Sequence, residues 1–269
     1  ATSATKIYGN TDPSIAVTLT SGSLASVAVT DTLADVTGTI TRSAGENVGS
    51  YNILLGSGAQ ASNYAITYNA TNQAFAITQR PITITANANQ TKIYGNADAS
   101  FTYAVEAAGT NRGLVGSDTF TGTLARATGE NVGTYAINQG TLNNSNYAIT
   151  YVADNYAITQ RPITITANAS QTKIYGNADA TFTYAVEANG TNRGLVGSDT
   201  FTGSLARAAG ENVGTYAINQ GTLNNSNYAI TANSANLGIT PRPITVVLDA
   251  KSKTYGNSDP TLTYSVSSG

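Results

Sequence analysis

One segment of this chain is written three times at a fixed spacing of 81 residues. Arg80-Pro-Ile-Thr-Ile-Thr returns as Arg161-Pro-Ile-Thr-Ile-Thr and as Arg242-Pro-Ile-Thr-Val-Val. Tyr8-Gly-Asn returns at Tyr94, Tyr175 and Tyr255, Gly45-Glu-Asn-Val-Gly at Gly129 and Gly210, and Ser62-Asn-Tyr-Ala-Ile-Thr at Ser145 and Ser226. A constant period constrains folding more than any local signal. It requires one small unit that packs against copies of itself.

The spacing divides the chain into a first repeat over 1–79 that lacks its opening strand, full repeats over 80–160 and 161–241, and the start of a fourth over 242–269. The missing opening strand and the short fourth repeat predict that these residues are a window onto a longer array. The two full repeats differ at 12 of 81 positions, and only 5 of those differences fall in the first 71. A core needs apolar volume and pattern, not identity at exposed Thr, Asn and Gly. Such identity points to recent duplication.

Period-two alternation runs through each repeat: Ile82, Ile84 and Ala86 against Thr83 and Thr85; Phe101, Tyr103 and Val105 against Thr102 and Ala104; Tyr147, Ile149 and Tyr151 further on. The pattern predicts six or seven short strands per repeat, each with one buried face. The fold class is therefore mainly β: a tandem array of small modules, β-sandwich or β-grasp-like, forming an elongated rod. Asn111-Arg-Gly-Leu-Val-Gly-Ser-Asp118 is the one place for a short helical turn, and the first repeat lacks that motif between Ser23 and Asp35.

Turn chemistry singles out Gly9, Asn10, Gly95, Asn96, Gly176, Asn177, Gly256 and Asn257, because Gly and Asn tolerate positive φ. Pro81, Pro162, Pro241 and Pro243 mark the junctions, where strand follows strand without a flexible spacer. Pro fixes its own φ and restricts its predecessor, so the junctions are expected to be stiff.

Composition narrows the chemistry. The chain has no Cys, Met, His or Trp. Disulfides and thiolate sites are excluded, and the commonest acid–base group and metal ligand is missing. Charged residues make up 10% and the formal charge is −2. No basic tract marks a nucleic-acid or anionic-lipid partner, and no apolar run approaches the ~18 residues of a membrane helix. No catalytic group, cofactor or metal is expected.

Four sharper readings stand beside plainer ones. Tyr94-Gly-Asn-x-Asp98 is a sugar site, or a tight turn with Tyr94 lying on its sheet. Asp98, Asp118 and Glu130 gather calcium, or are scattered surface acids; calcium wants six to eight oxygens. Lys92 with Glu106 or Glu130 builds an isopeptide crosslink, or is a solvated lysine. Tyr103, Tyr135, Tyr147 and Tyr151 form a glycan face, or core and rim aromatics. The plainer member is preferred in each pair.

The ordered set Arg-Pro-Ile-Thr-Ile, Lys-x-Tyr-Gly-Asn-x-Asp, Gly-Leu-Val-Gly-Ser-Asp, Gly-Glu-Asn-Val-Gly-Thr-Tyr and Asn-Tyr-Ala-Ile-Thr resembles the MBG domain of the YGX type over nearly the whole chain. That resemblance implies an extracellular stalk in a large bacterial surface or secreted adhesin, similar to filamentous haemagglutinin and linked to mucin-binding β-grasp modules. A non-enzymatic spacer is the first expectation. A glycan- or mucin-binding array and a self-associating fibre or biofilm matrix are the alternatives. Neighbouring repeats are the expected partners, with glycans or like chains as candidates.

Overall fold

The computed structural model describes residues 3–24, 30–56, 58, 61–67 and 74–268. Its packing separates two compact units. One comprises Ala1–Gln90, Ala99–Gly129 and Thr134–Ala157; the other comprises Thr91–Asp98, Glu130–Gly133 and Ile158–Gly269.

The third repeat shows the architecture in full. Arg161–Ala167 is the centre of a three-stranded sheet. It runs parallel to Tyr228–Asn233, with Arg161 opposite Tyr228, and antiparallel to Tyr184–Val186, with Ile165 opposite Val186. A second sheet has four strands. Gln171–Ile174 runs parallel to Ala235–Thr240, which is antiparallel to Gly214–Asn219, and that strand pairs with Ala206–Arg207.

The alternating pattern explains how the two sheets meet. Ile163, Ile165 and Ala167 point inward from the first sheet while Pro162 and Thr166 stay exposed. Ile218, Leu237 and Ile239 come from the second sheet, and Leu205 and Leu223 close the sides, with Phe182, Tyr184, Phe201 and Tyr216 at the rim. The choice between sandwich and β-grasp is thus settled here as two sheets packed face to face. A grasp fold needs a helix to lay on its sheet, and no segment of this repeat carries an apolar stripe of helical period.

In the second repeat Arg80–Ala86 holds the same central place. It is parallel to Tyr147–Val152 and antiparallel to Tyr103–Val105, and it buries Ile82, Ile84 and Ala86. In the first repeat Ala4–Ile7, Ala74–Thr78, Gly49–Leu54 and Thr41–Arg42 form a four-stranded sheet over Ile53, Phe75 and Ile77. Past residue 241, Thr245–Leu248 pairs antiparallel with Tyr264–Ser268.

The helical turn lies elsewhere than expected. Asn111–Asp118 is a run of turns, because Asn111, Gly113 and Gly116 all take positive φ, which no right-handed helix accommodates. The one α-helix among the described residues is Leu33–Thr37, in the repeat that lacks the Gly-Leu-Val-Gly-Ser-Asp motif. There Thr32 and Asp35 form a reciprocal capping box and Val36 is buried, which holds a single turn in place. Residues 25–29 of the Ser23–Asp35 stretch lie outside the described residues.

Removing volume from this core has a calculable effect. Ile165→Ala should destabilise the chain by about 2–5 kcal/mol, whereas Thr166→Ala on the exposed face should stay within about 0.5 kcal/mol. Urea denaturation of the two variants checks the contrast.

Candidate functional site

The Tyr-Gly-Asn turns are the place to begin. Gly9, Gly95, Gly176 and Gly256 have φ of +79°, +79°, +81° and +85°. Each turn closes with a backbone bond from its asparagine, as from the Asn96 amide to Ile93 O at 3.1 Å. The asparagines do not share the positive φ expected of them. Among non-glycine residues that geometry is found at Asn89, Asn111, Ser170 and Asn192. What Asn10 and Asn96 contribute is a side-chain amide aimed out of the turn. A Cβ at Gly9 would overlap the Val115 side chain, and one at Gly95 that of Val196, so both glycines are required by close approach as well as by φ.

Val115 and Val196 belong to the following repeat. The turn is therefore one half of a packed seam, and the Arg-Pro segment supplies its centre. Arg161 is 3% exposed. Its Nε donates to Gly194 O at 2.9 Å, and its Nη1 to Tyr94 O at 3.2 Å and Asn96 Oδ1 at 3.0 Å. Its Nη2 donates to Gly190 O, Arg193 O and Asn189 Oδ1 at 2.6, 2.9 and 2.8 Å. Arg80 does the same one repeat earlier, to Gly113 O, Tyr8 O, Asn10 Oδ1, Gly109 O and Arg112 O. All of these acceptors are neutral oxygens. The planar guanidinium reaches in several directions at once and so ties the turn of one repeat to the 109–113 or 190–194 loop of the next.

A tyrosine pair stands beside each arginine. Tyr94 OH and Tyr228 OH both donate to Asp199 Oδ2, at 2.9 and 2.6 Å, and their rings meet edge to face with centroids 5.5 Å apart. Tyr8, Tyr147 and Asp118 repeat the arrangement with the same distances. Burial, reinforced by the aspartate, pushes Tyr147 and Tyr228 up to about 12, and Tyr8 and Tyr94 also move upward. Asn146 then accepts from the Val48 amide at 2.9 Å and donates to Asn47, and Asn227 does the same for Val132 and Asn131. The five recurrent motifs thus converge on one seam. That between the first and second repeats lies inside the first compact unit, and that between the second and third inside the other.

These contacts correct two expectations. Tyr94 packs against Tyr228 and Asp199 of the next repeat, not on its own sheet. Junction stiffness does not rest on proline alone. Pro81 and Pro162 are exposed, and their carbonyls accept from Gly113 and Gly194, while the buried group at each junction is the preceding arginine. The arginine had a legible signal. Arg161 falls in the inward phase of Arg161, Ile163, Ile165 and Ala167, so alternation alone places it inside.

A second cluster recurs within each repeat. Lys173 Nζ lies 2.7 Å from Asp179 and 2.6 Å from Glu211, and Arg207 bonds the same two carboxylates. Lys6, Asp12, Glu46 and Arg42 match it. Lys92 bonds Asp98 and Glu130 at 2.7 and 2.5 Å. Lys92 is only 8% exposed, which corrects the expectation of a solvated side chain. Burial pulls its ammonium down, but bonds to Asp98 and Glu130 outweigh this and leave it raised. The Arg42 and Arg207 bonds hold Asp12 and Asp179 below the usual carboxylate range. An isopeptide bond needs a neutral amine and a protonated acid; this site stabilises the opposite charge states. Asp98 and Glu130 face Lys92, and Asp118 takes the tyrosine hydroxyls, so the calcium set is divided among other partners. Tyr151 donates to Ile137 O, and Tyr135 lies beneath the Arg126 guanidinium, both half-buried.

Fold and seam together define a tandem array of β-sandwich repeats joined by buried polar interfaces. The chain belongs to the family described as MBG domain (YGX type), whose model matches residues 1–74, 82–161 and 163–238. Comparison with curated proteins and with solved structures gives no match. No helix among the described residues is long and apolar enough to cross a membrane.

Two outcomes test this site. Lysine cannot reach all the oxygens that Arg161 holds, so Arg161→Lys should destabilise the chain by about 2–4 kcal/mol through stranded buried acceptors. Pro162→Gly should lose only about 0.4–1 kcal/mol through the freer unfolded chain. Denaturant midpoints decide, and equal losses would contradict the clamp.

The second outcome is pH dependence. The Arg112 and Arg193 guanidiniums hold Glu106 and Glu187 at about 2, against an ordinary 4.5. A depressed folded value gives stability that is complete above 4.5 and lost as pH falls toward 2. Tyr147 and Tyr228 rise from 10.0 to about 12, so their share is complete below 10 and lost as pH climbs toward 12. The melting temperature should be flat from about pH 5 to about pH 9.5 and fall on both sides. A main change inside that window would contradict these assignments.

Proposed function

We propose that this chain is a spacer segment of a bacterial surface or secreted adhesin, non-enzymatic and extracellular, whose repeats hold a distal binding region away from the cell. The observation that carries the reading is the arginine-centred seam. A bead-on-a-string linker needs only a flexible connector, but here Arg80 and Arg161 each tie a turn, a loop and a strand start into one buried interface. Repetition of such an interface transmits orientation from one repeat to the next. In the first repeat the chain passes from strand Ala74–Thr78 into Arg80–Ala86 across the single residue Gln79, which itself bonds Ser145 O at 3.1 Å.

The glycan-array reading has less to build on. The Tyr-Gly-Asn turn was its one candidate platform, and at Tyr8 and Tyr94 the ring and hydroxyl are engaged in the seam. Small-angle scattering of the whole chain tests the spacer role. A maximum dimension well above ~60 Å is expected, since a compact globule of this length would reach about that value. A compact profile sinks the proposal.

A further inference from the structure

The three-stranded sheet that repeats two and three share is incomplete in the first. Its flanking segments are identifiable by position. Tyr64–Thr67 corresponds to the start of Tyr147–Val152 through the shared Ser-Asn-Tyr-Ala-Ile-Thr, and Val17–Leu19 precedes Tyr103–Val105 by the 86 residues that separate Lys6 from Lys92. Neither segment is paired as a strand. Between them lies a cleft of ≈ 390 Å³ lined by Val17, Leu19, Leu33, Val36, Leu55 and Ile66, among others. Leu19 and Ile66 are exposed. Among the described residues of this repeat, nothing occupies the place that Arg80–Ala86 and Arg161–Ala167 fill in the others.

The same chain carries the missing piece with its apolar face bare. Arg242-Pro-Ile-Thr-Val-Val-Leu248 repeats the central strand in sequence. Ile244, Val246 and Leu248 are 61%, 46% and 81% exposed, whereas Ile163 and Ile165 in the equivalent strand are each 1% exposed. Its one strand partner among the described residues is Tyr264–Ser268, and an isolated two-stranded ladder is marginal in water.

We propose that the first-repeat cleft of one copy accepts the Arg242–Leu248 strand of a second copy, so that copies of this chain join by strand exchange. The pairing seen at Tyr147↔Arg80 and Ile149↔Ile82 sets the register. Tyr64 lies opposite the incoming Arg242, and Ile66 opposite Ile244, in a parallel pair. Alternation then turns Ile244 and Val246 into the cleft and Thr245 outward, as for Ile82, Ile84 and Thr83. Val17–Leu19 takes the edge position that Tyr264–Ser268 vacates. Backbone pairing supplies affinity and the two buried side chains select the sequence, as in strand addition to a sheet generally. The inference stands apart from the spacer role.

Sedimentation velocity of the whole chain over a concentration series is the test. Species larger than a monomer should grow with concentration, and Ile244→Asp combined with Val246→Asp should weaken association at least tenfold without changing the circular dichroism, because both side chains are exposed in the single chain. The chain has no cysteine, so a chain carrying Ile66→Cys and Ile244→Cys should give a ladder of disulfide-linked copies on a non-reducing gel. A chain carrying Ile66→Cys and Thr245→Cys should not. A wild-type chain that remains monomeric throughout overturns the proposal. So does association that the Asp substitutions leave intact, which would place the contact on a lateral sheet edge, and so does equal crosslinking in the two cysteine pairs.

Discussion

A buried guanidinium that meets only neutral oxygens organises this array. Arg80 and Arg161 sit where each new repeat begins, and each gathers main-chain carbonyls and an asparagine amide from two repeats. A carboxylate partner would fix one bidentate pair and leave other carbonyls to find partners elsewhere. Spreading the donors over several carbonyls lets one side chain satisfy a loop and a turn that would otherwise bury unpaired oxygens. The glycine at each turn, the valine that covers it and the tyrosine pair all depend on the turn standing at that distance from the loop.

The second recurring device balances charge. A chain with so few charged residues nonetheless places lysine, arginine, aspartate and glutamate together in the first and third repeats. Each lysine lies at the end of the strand after the central one, with its stem buried and its ammonium held by two carboxylates that also take an arginine. The arginine lies over a tyrosine ring, Tyr51 in one case and Tyr216 in the other. Removing one partner would leave an uncompensated charge beside a small core. This accounts for the recurrence of all four residues without a catalytic, metal-binding or crosslinking role.

These features also explain why the repeats resemble one another so closely around their motifs. The Tyr-Gly-Asn turn of one repeat must fit the loop of the next. A change on one side of a seam is felt on the other, and a motif shared by all copies keeps every seam workable. The first repeat illustrates the freedom that remains. It keeps Tyr8, Gly9 and Asn10 and so offers its turn to the second repeat, while its own middle segment replaces the Gly-Leu-Val-Gly-Ser-Asp loop with a capped helical turn at Leu33–Thr37.

The sequence by itself determined the repeat, its mainly β character, the turn glycines and the inward phase of Ile82, Ile84, Ile163 and Ile165. All of these follow from period and alternation, which are properties of neighbouring residues along the chain. Tertiary structure alone decided what Arg161, Lys92 and Tyr94 do. Each looked like a surface residue because its partners lie far away in sequence: Arg161 bonds residues 65 and 67 positions before it, and Tyr94 bonds an aspartate 105 positions after it. Local pattern can show that a side chain points inward. It cannot show which distant oxygen waits there, because that depends on how two sheets and two repeats come together in space.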